Sequence, residues 1–111
     1  MVSELKYRAG PVSIGAAGTH QFLYTQDPKG KAVKVDNIQA AIIAGTQTGV
    51  VRFRLGTDGT NLNELSRSSL TAASPAHRIP GDFILHPGMV ISIDFSGVTA
   101  ADQVTCFIGG H

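Results

Sequence analysis

The chain has no tryptophan, one cysteine, and only five phenylalanines and two tyrosines among its 111 residues. The single thiol, Cys106, excludes an internal disulfide framework, and its neighbours Val104, Phe107 and Ile108 mark it as a strand residue packed as a small hydrophobe. A dominant charge of one sign is also missing. Nine basic and eight acidic side chains are scattered for a formal net charge of +1, so there is no field of the kind that gathers nucleic acid. No stretch of 18 apolar residues occurs, and the start, Met1-Val2-Ser3-Glu4-Leu5-Lys6-Tyr7-Arg8, carries charges where a secretory signal would be apolar. The expectation is a protein made and used without crossing or entering a membrane, and with no nucleic-acid partner.

What is present is a globular composition, 42% hydrophobic and 15% charged, with 13 glycines and no low-complexity tract. A chain of this length suits one domain over residues 1–111, burying roughly two thirds of the surface its unfolded form would expose. The main pattern is alternation with period two, broken at short intervals by Gly, Pro, Asn and Asp. Val51, Phe53 and Leu55 share one side of a strand whose other side carries Arg52 and Arg54. Met89, Ile91, Ile93 and Phe95 form a second stripe opposite Ser92 and Asp94. Val104, Cys106 and Ile108 form a third, which Gly109-Gly110 is expected to end.

Phe22 to Thr25 is a short apolar run, and Asp27-Pro28-Lys29-Gly30 after it reads as a hairpin-like turn. The run from Lys31 to Ala44 changes parity: Val33 and Val35 share one side, Ile38, Ala40 and Ile42 the other. One extra residue at Asp36-Asn37, a β-bulge, would restore the register; the alternative is that both faces of the second half, including Ala41 and Ile43, are covered. Gly45 to Gly49 and Gly56 to Asn61 read as turns. Leu62 to Ala73 is ambiguous between helix, short strand and irregular crossover. Ser74-Pro75 and Pro80-Gly81 are expected to bracket a loop, and His86-Pro87-Gly88 turns into the next strand. The expected fold is all-β: a single antiparallel β-sandwich or jelly-roll-like domain of about seven or eight short strands. Consecutive hairpins and one longer crossover, at Leu62 to Pro80, are expected to connect them.

Catalytic and ligand-binding constellations find little support in this pattern. His20, His77, His86 and His111 lie tens of residues apart without ligand spacing. Asp58-Gly59-Thr60-Asn61 lacks the alternating acidic positions of a calcium loop and reads as a turn. The serines around Ser66, Ser68, Ser69 and Ser74 lack a nucleophile elbow, and Gly15-Ala16-Ala17-Gly18 does not lead into a helix as a phosphate loop would. The expectation is a protein with no enzymatic activity, cofactor or metal. Lys29, Lys31 and Lys34 concentrate positive charge around one connection, which reads as a solvated edge or as a docking surface for an acidic protein. Leu5, Tyr7 and Arg8 fall in residues 1–10, a candidate N-terminal arm that could add a strand to a neighbour's sheet, or else form an edge strand of the domain itself. These six residues are the candidate partner interface.

The order of segments carries a resemblance. Phe22-Leu23-Tyr24-Thr25, the Pro-Gly turn, Lys31 to Ile38, Val50 to Gly56, the Leu85-His86-Pro87-Gly88 lead-in to Met89 to Ile93, and the closing Val104 to Gly110 resemble the small β-sandwich proteins on the virions of tailed bacteriophages. The similarity covers about residues 20–110. It is greatest to the capsid decoration proteins that act as cement or staples, notably in short-tailed phages of the epsilon-fifteen type. That resemblance implies a homodimer or homotrimer on the outside of a phage head, made in the host cytoplasm, clamping neighbouring copies of the major capsid protein. The alternative is a receptor- or carbohydrate-binding sandwich module of a tail fibre, for which Tyr7 and Tyr24 would be the aromatic rings left over from strand positions.

Truncating Phe53 or Ile91 to Ala is expected to cost ~2 to 5 kcal/mol in urea unfolding, against about 0.5 kcal/mol for Arg52→Ala. Equal losses at all three positions would contradict the alternating core.

Overall fold

The computed structural model describes residues 5–58 and 60–111. Among them there is no helix. Eight strands follow one another: β1 Leu5–Ser13, β2 His20–Thr25, β3 Val33–Ala44, β4 Gly49–Gly56, β5 Leu62–Leu70, β6 Ala76–Leu85, β7 Val90–Ser96 and β8 Gln103–Gly110. They form two four-stranded sheets, ordered β1-β8-β3-β6 and β2-β7-β4-β5, with every pairing antiparallel. Each sheet mixes strands from both ends of the chain, the two-sheet jelly-roll arrangement.

The stripes define the interior. Val51 and Phe53 from β4 and Ile91, Ile93 and Phe95 from β7 meet Val35, Ile38 and Ile42 from β3 and Val104 and Ile108 from β8, all essentially without solvent contact. The parity change in β3 is a bulge: its register with both neighbours shifts between Val35 and Asn37, so Val33, Val35, Ile38, Ala40 and Ile42 all point inward. Ile43 is exposed, so the alternative of a strand covered on both faces does not hold. The bend stays within one sheet.

One ambiguity is resolved and three expectations need correction. Of the readings open for Leu62–Leu70 the strand holds: it is an edge strand paired to β4, not a helix or a crossover. Among the described residues the only hairpin between sequence neighbours is β4–β5; the other connections pass from one sheet to the other, so the Asp27–Gly30 turn, closed by Gly30 N–H donating to the Asp27 carbonyl at 3.0 Å, is a crossing rather than a hairpin. Pro80-Gly81 lies inside β6, not in a loop. β6 is an edge strand, where a residue without an N–H is tolerated, and Gly81 lets the backbone approach the Val35 carbonyl at the bulge, where a Cβ would collide. Finally, Gly109 and Gly110 continue β8, pairing with Lys6 and Leu5 on one side and with Asn37 and Val35 on the other.

Loops tie the sheets together at both ends. Asp102, buried, accepts from Thr46 N–H at 3.0 Å, and Gly45 (φ 99°) leaves room for that carboxylate where a Cβ would overlap it. At the far end Tyr24 donates to Gln26 Oε1 at 2.7 Å, and Gln26 Nε2 donates to the Lys31 carbonyl at 2.7 Å. Asp58 organises the β4–β5 hairpin: it accepts from the Thr60 hydroxyl at 2.7 Å, from the N–H groups of Thr60 and Asn61 at 2.8 and 2.9 Å, and from the Asn61 amide at 2.9 Å. These bonds, the Thr60 hydroxyl's foremost, hold its carboxyl well below the usual range.

Burial pushes the Cys106 thiol up to about 12, partly offset by a hydrogen bond with the Ala9 backbone. Because the thiolate is the reactive form, the native protein at pH 8 is expected to leave Ellman's reagent unreacted until urea unfolds it. Reaction in the folded state at the rate of free cysteine would place this strand outside the core.

Candidate functional site

With the apolar stripes facing inward, the chemistry lies on the two outer faces. On the β2-β7-β4-β5 sheet, alternation turns Arg52 and Arg54 outward from β4 and Ser92 and Asp94 outward from β7. Register then builds two rows across the strands: Gln21, Asp94, Arg52, Arg67 and Leu23, Ser92, Arg54, Glu64. Gln21 Nε2 donates to Ser92 Oγ at 2.9 Å, and Ser92 Oγ donates to Asp94 Oδ1 at 2.8 Å. Asp94 Oδ2 lies 2.6 Å from Arg54 Nε and 3.7 Å from Arg52 Nη2. The close Arg54 contact is an ion pair rather than a hydrogen bond, since the Nε–H is not aimed at Asp94 Oδ2. Arg67 grips Glu64 Oε1 through Nη2 at 2.9 Å and Nε at 3.1 Å, and Arg52 Nε reaches the same oxygen at 3.9 Å. Three guanidinium groups thus share two carboxylates beside an open depression of about 520 Å³.

The outer face of the β1-β8-β3-β6 sheet is different. Here register aligns Arg8, Phe107, Gln39 and Arg78 in one row. The next row is small: Thr105, Ala41 and Ala76. The step between them makes an open trough of about 320 Å³ whose lining, among the described residues, includes both arginines and no carboxylate. The Arg8 guanidinium sits 5.1 Å from the Phe107 ring centroid, within cation–π range.

The six residues expected at a partner interface do not form one site. Leu5 is buried in the core, and Tyr7 faces inward, its ring centroid 5.0 Å from that of Tyr24. Leu5 to Arg8 belong to an edge strand of the chain's own sheet, and the part of the arm before Leu5 lies outside the described residues. Arg8 faces out over Phe107. Lys34 is on the same sheet, 3.7 Å from Asp82, whereas Lys29 and Lys31 lie in the β2–β3 connection. Arg78, Gln39 and Phe107 were not anticipated, because pairing across strands decides which side chains line up. Reading Ala76–Leu85 as one alternating strand would have turned Arg78 outward from the sequence.

The histidines are apart. His20 packs on Phe22 at 4.5 Å between centroids, His77 stacks on Phe53 at 5.2 Å, and His111 Nδ1 lies 2.8 Å from Asp36 Oδ2. His77 Nε2 also meets Ser66 Oγ at 2.8 Å, a contact that joins β6 to β5 where the two sheets would otherwise gape. Among the described residues no three His, Cys, Asp or Glu side chains form a metal-binding group.

No protein-family model matches the sequence, and no curated protein matches it significantly. Among solved structures, the Yersinia pseudotuberculosis-derived mitogen is similar over 99% of this chain and 86% of its own, with a TM-score of 0.54 and 8% identity. The C-terminal domain of a Bacteroides fragilis chitobiase covers 90% and 98% at a TM-score of 0.48 and 12% identity. The Drosophila NLP core covers 96% and 97% at 0.44 and 12%. At such identity the mitogen likeness is one of fold.

Asp94→Ala leaves Arg54, a partly buried cation, without its carboxylate, and is expected to cost about 2 kcal/mol in chemical denaturation. Arg67→Ala, more than half exposed, should cost no more than about 0.5 kcal/mol. The reverse ranking would show that the two ion pairs are misassigned.

Proposed function

We propose that the protein is a non-enzymatic capsid decoration protein, acting on the outer surface of a phage head, where it bridges neighbouring major capsid subunits as a homodimer or homotrimer. The carrying observation is that one small sandwich presents two polar faces of different character on opposite sides: the arginine–carboxylate lattice of one sheet and the arginine-flanked trough of the other. A brace must touch two neighbours at once. When it does, effective concentration multiplies two modest affinities, and about 800 Å² on each partner suffices for a stable contact. The order of the strand and turn segments, which resembles that of phage decoration proteins, supports the same reading.

The tail-fibre alternative is less well supported. Tyr7 and Tyr24, the rings it needs, pack on each other between the sheets, and the Phe107 face is covered by Arg8. Heads prepared with and without the protein, heated or treated with a chelator, test the proposal by release of packaged DNA. Heads lacking it are expected to fail earlier and to regain resistance when purified protein is added back. Identical release curves would overturn the role.

A further inference from the structure

We infer that the trough on the β1-β8-β3-β6 face docks an extended acidic segment of a protein partner, with two carboxylates four residues apart, one on Arg8 and one on Arg78. The inference deepens the decoration reading and rests on it only for the source of the segment, a capsid subunit.

Charge complementarity is the first ground. On the opposite sheet Arg52, Arg54 and Arg67 are shared between Asp94 and Glu64, so that face largely neutralises itself. In the trough, Arg8 and Arg78 stand in one cross-strand row, and among the described residues no carboxylate lines it and Arg78 has no charged partner. Lodging against Phe107 limits the freedom of the Arg8 side chain, so less entropy is lost when its planar fork takes a carboxylate.

Shape is the second. Thr105, Ala41 and Ala76 make a floor low enough for a backbone to lie across the strands, beside the taller row of Phe107 and Gln39. Gln39 Nε2 is committed to Asn37 Oδ1 at 3.1 Å, which leaves the Gln39 carbonyl oxygen to accept an N–H from such a backbone. Spacing is the third. Arg8 on β1 and Arg78 on β6 are separated by three strand-to-strand steps, about 14 Å. An extended chain advances about 3.3 Å per residue and returns to the same face every second one, so residues four apart carry same-side carboxylates about 13 Å apart. A sugar would need the aromatic face that Arg8 occupies.

The test is titration of the ¹⁵N-labelled full chain with a synthetic peptide, acetyl-Thr-Glu-Thr-Val-Thr-Glu-Thr-amide, and with its counterpart carrying Gln for both Glu. Saturable shifts are expected at the amides of Ala41, Ala76, Thr105 and Phe107 with the Glu peptide only, weakening as salt rises to about 0.5 M. Arg8→Gln and Arg78→Gln should each weaken binding about threefold and together about tenfold, while Arg52→Gln on the other sheet leaves it unchanged. Should Arg8→Gln lose its strand circular dichroism, Arg78→Gln on the exposed edge decides alone. Shifts elsewhere, equal binding of the Gln peptide, indifference to Arg78→Gln, or binding of oligoglucuronate in place of the peptide would each overturn the assignment. Heads stabilised as well by Arg78→Gln protein as by the wild type would refute the trough and leave the decoration role standing. Peptide bound in the trough without any stabilisation of heads would do the opposite.

Discussion

Two apolar faces held against each other are what every other feature of this molecule depends on. Phe53, Ile91, Ile93 and Phe95 on one sheet and Ile38, Ile42, Val104 and Ile108 on the other are sealed from solvent, and neither sheet could bury its stripe alone. A sandwich leaves two long sides open, and this chain closes them differently. On the β1/β2 side Tyr7 and Tyr24 lean together, and burial raises both phenols above their ordinary range. On the β6/β5 side His77 stacks on Phe53 and meets the Ser66 hydroxyl.

Edges are the liability of an open sheet, since unpaired N–H and C=O groups invite another strand. β6 is blunted by Pro80, by the bulge facing it in β3 and by Asp82 (φ 52°). β1 is interrupted by Pro11 and a register shift between Ala9 and Val12, and β5 carries an irregularity opposite Phe53 and Arg54. With three of the four edges blunted and the stripes consumed, the outer faces, the loops and the β2 edge remain for recognition. Among the described residues, exposed large apolar side chains occur singly, Leu23, Ile43, Leu65 and Ile84, on four different strands, so charge and shape distinguish one face from the other.

Strand identity was largely legible along the chain because solvent on one side and core on the other impose period two wherever a strand is half-buried. The β3 bulge was half legible for the same reason: the parity change at Asp36-Asn37 calls for either a bulge or a strand covered on both faces, and only the exposure of Ile43 in the fold decides between them. β5 was not, because an edge strand with Ser66 and Ser68 turned inward carries a weak hydrophobic signal. Pro80-Gly81 misled in a similar way, since breakers mark loops unless they sit on an edge or against a bulge. Of the candidate interface only Arg8 reached the trough. Lys34 found Asp82 through the β3–β6 pairing, and Leu5 and Tyr7 were drawn into the interior.

By itself the sequence determined the class: alternating stripes too frequent for helices, and one thiol destined for the core. Tertiary structure alone decided which strands became neighbours, and so which side chains share a face. Arg8 and Phe107 lie almost a hundred residues apart, and Arg78 was placed across from them by two intervening strand pairings. The physical reason is that burial is a local property of each strand, readable from its own alternation, whereas register is a relation between strands that no single segment contains.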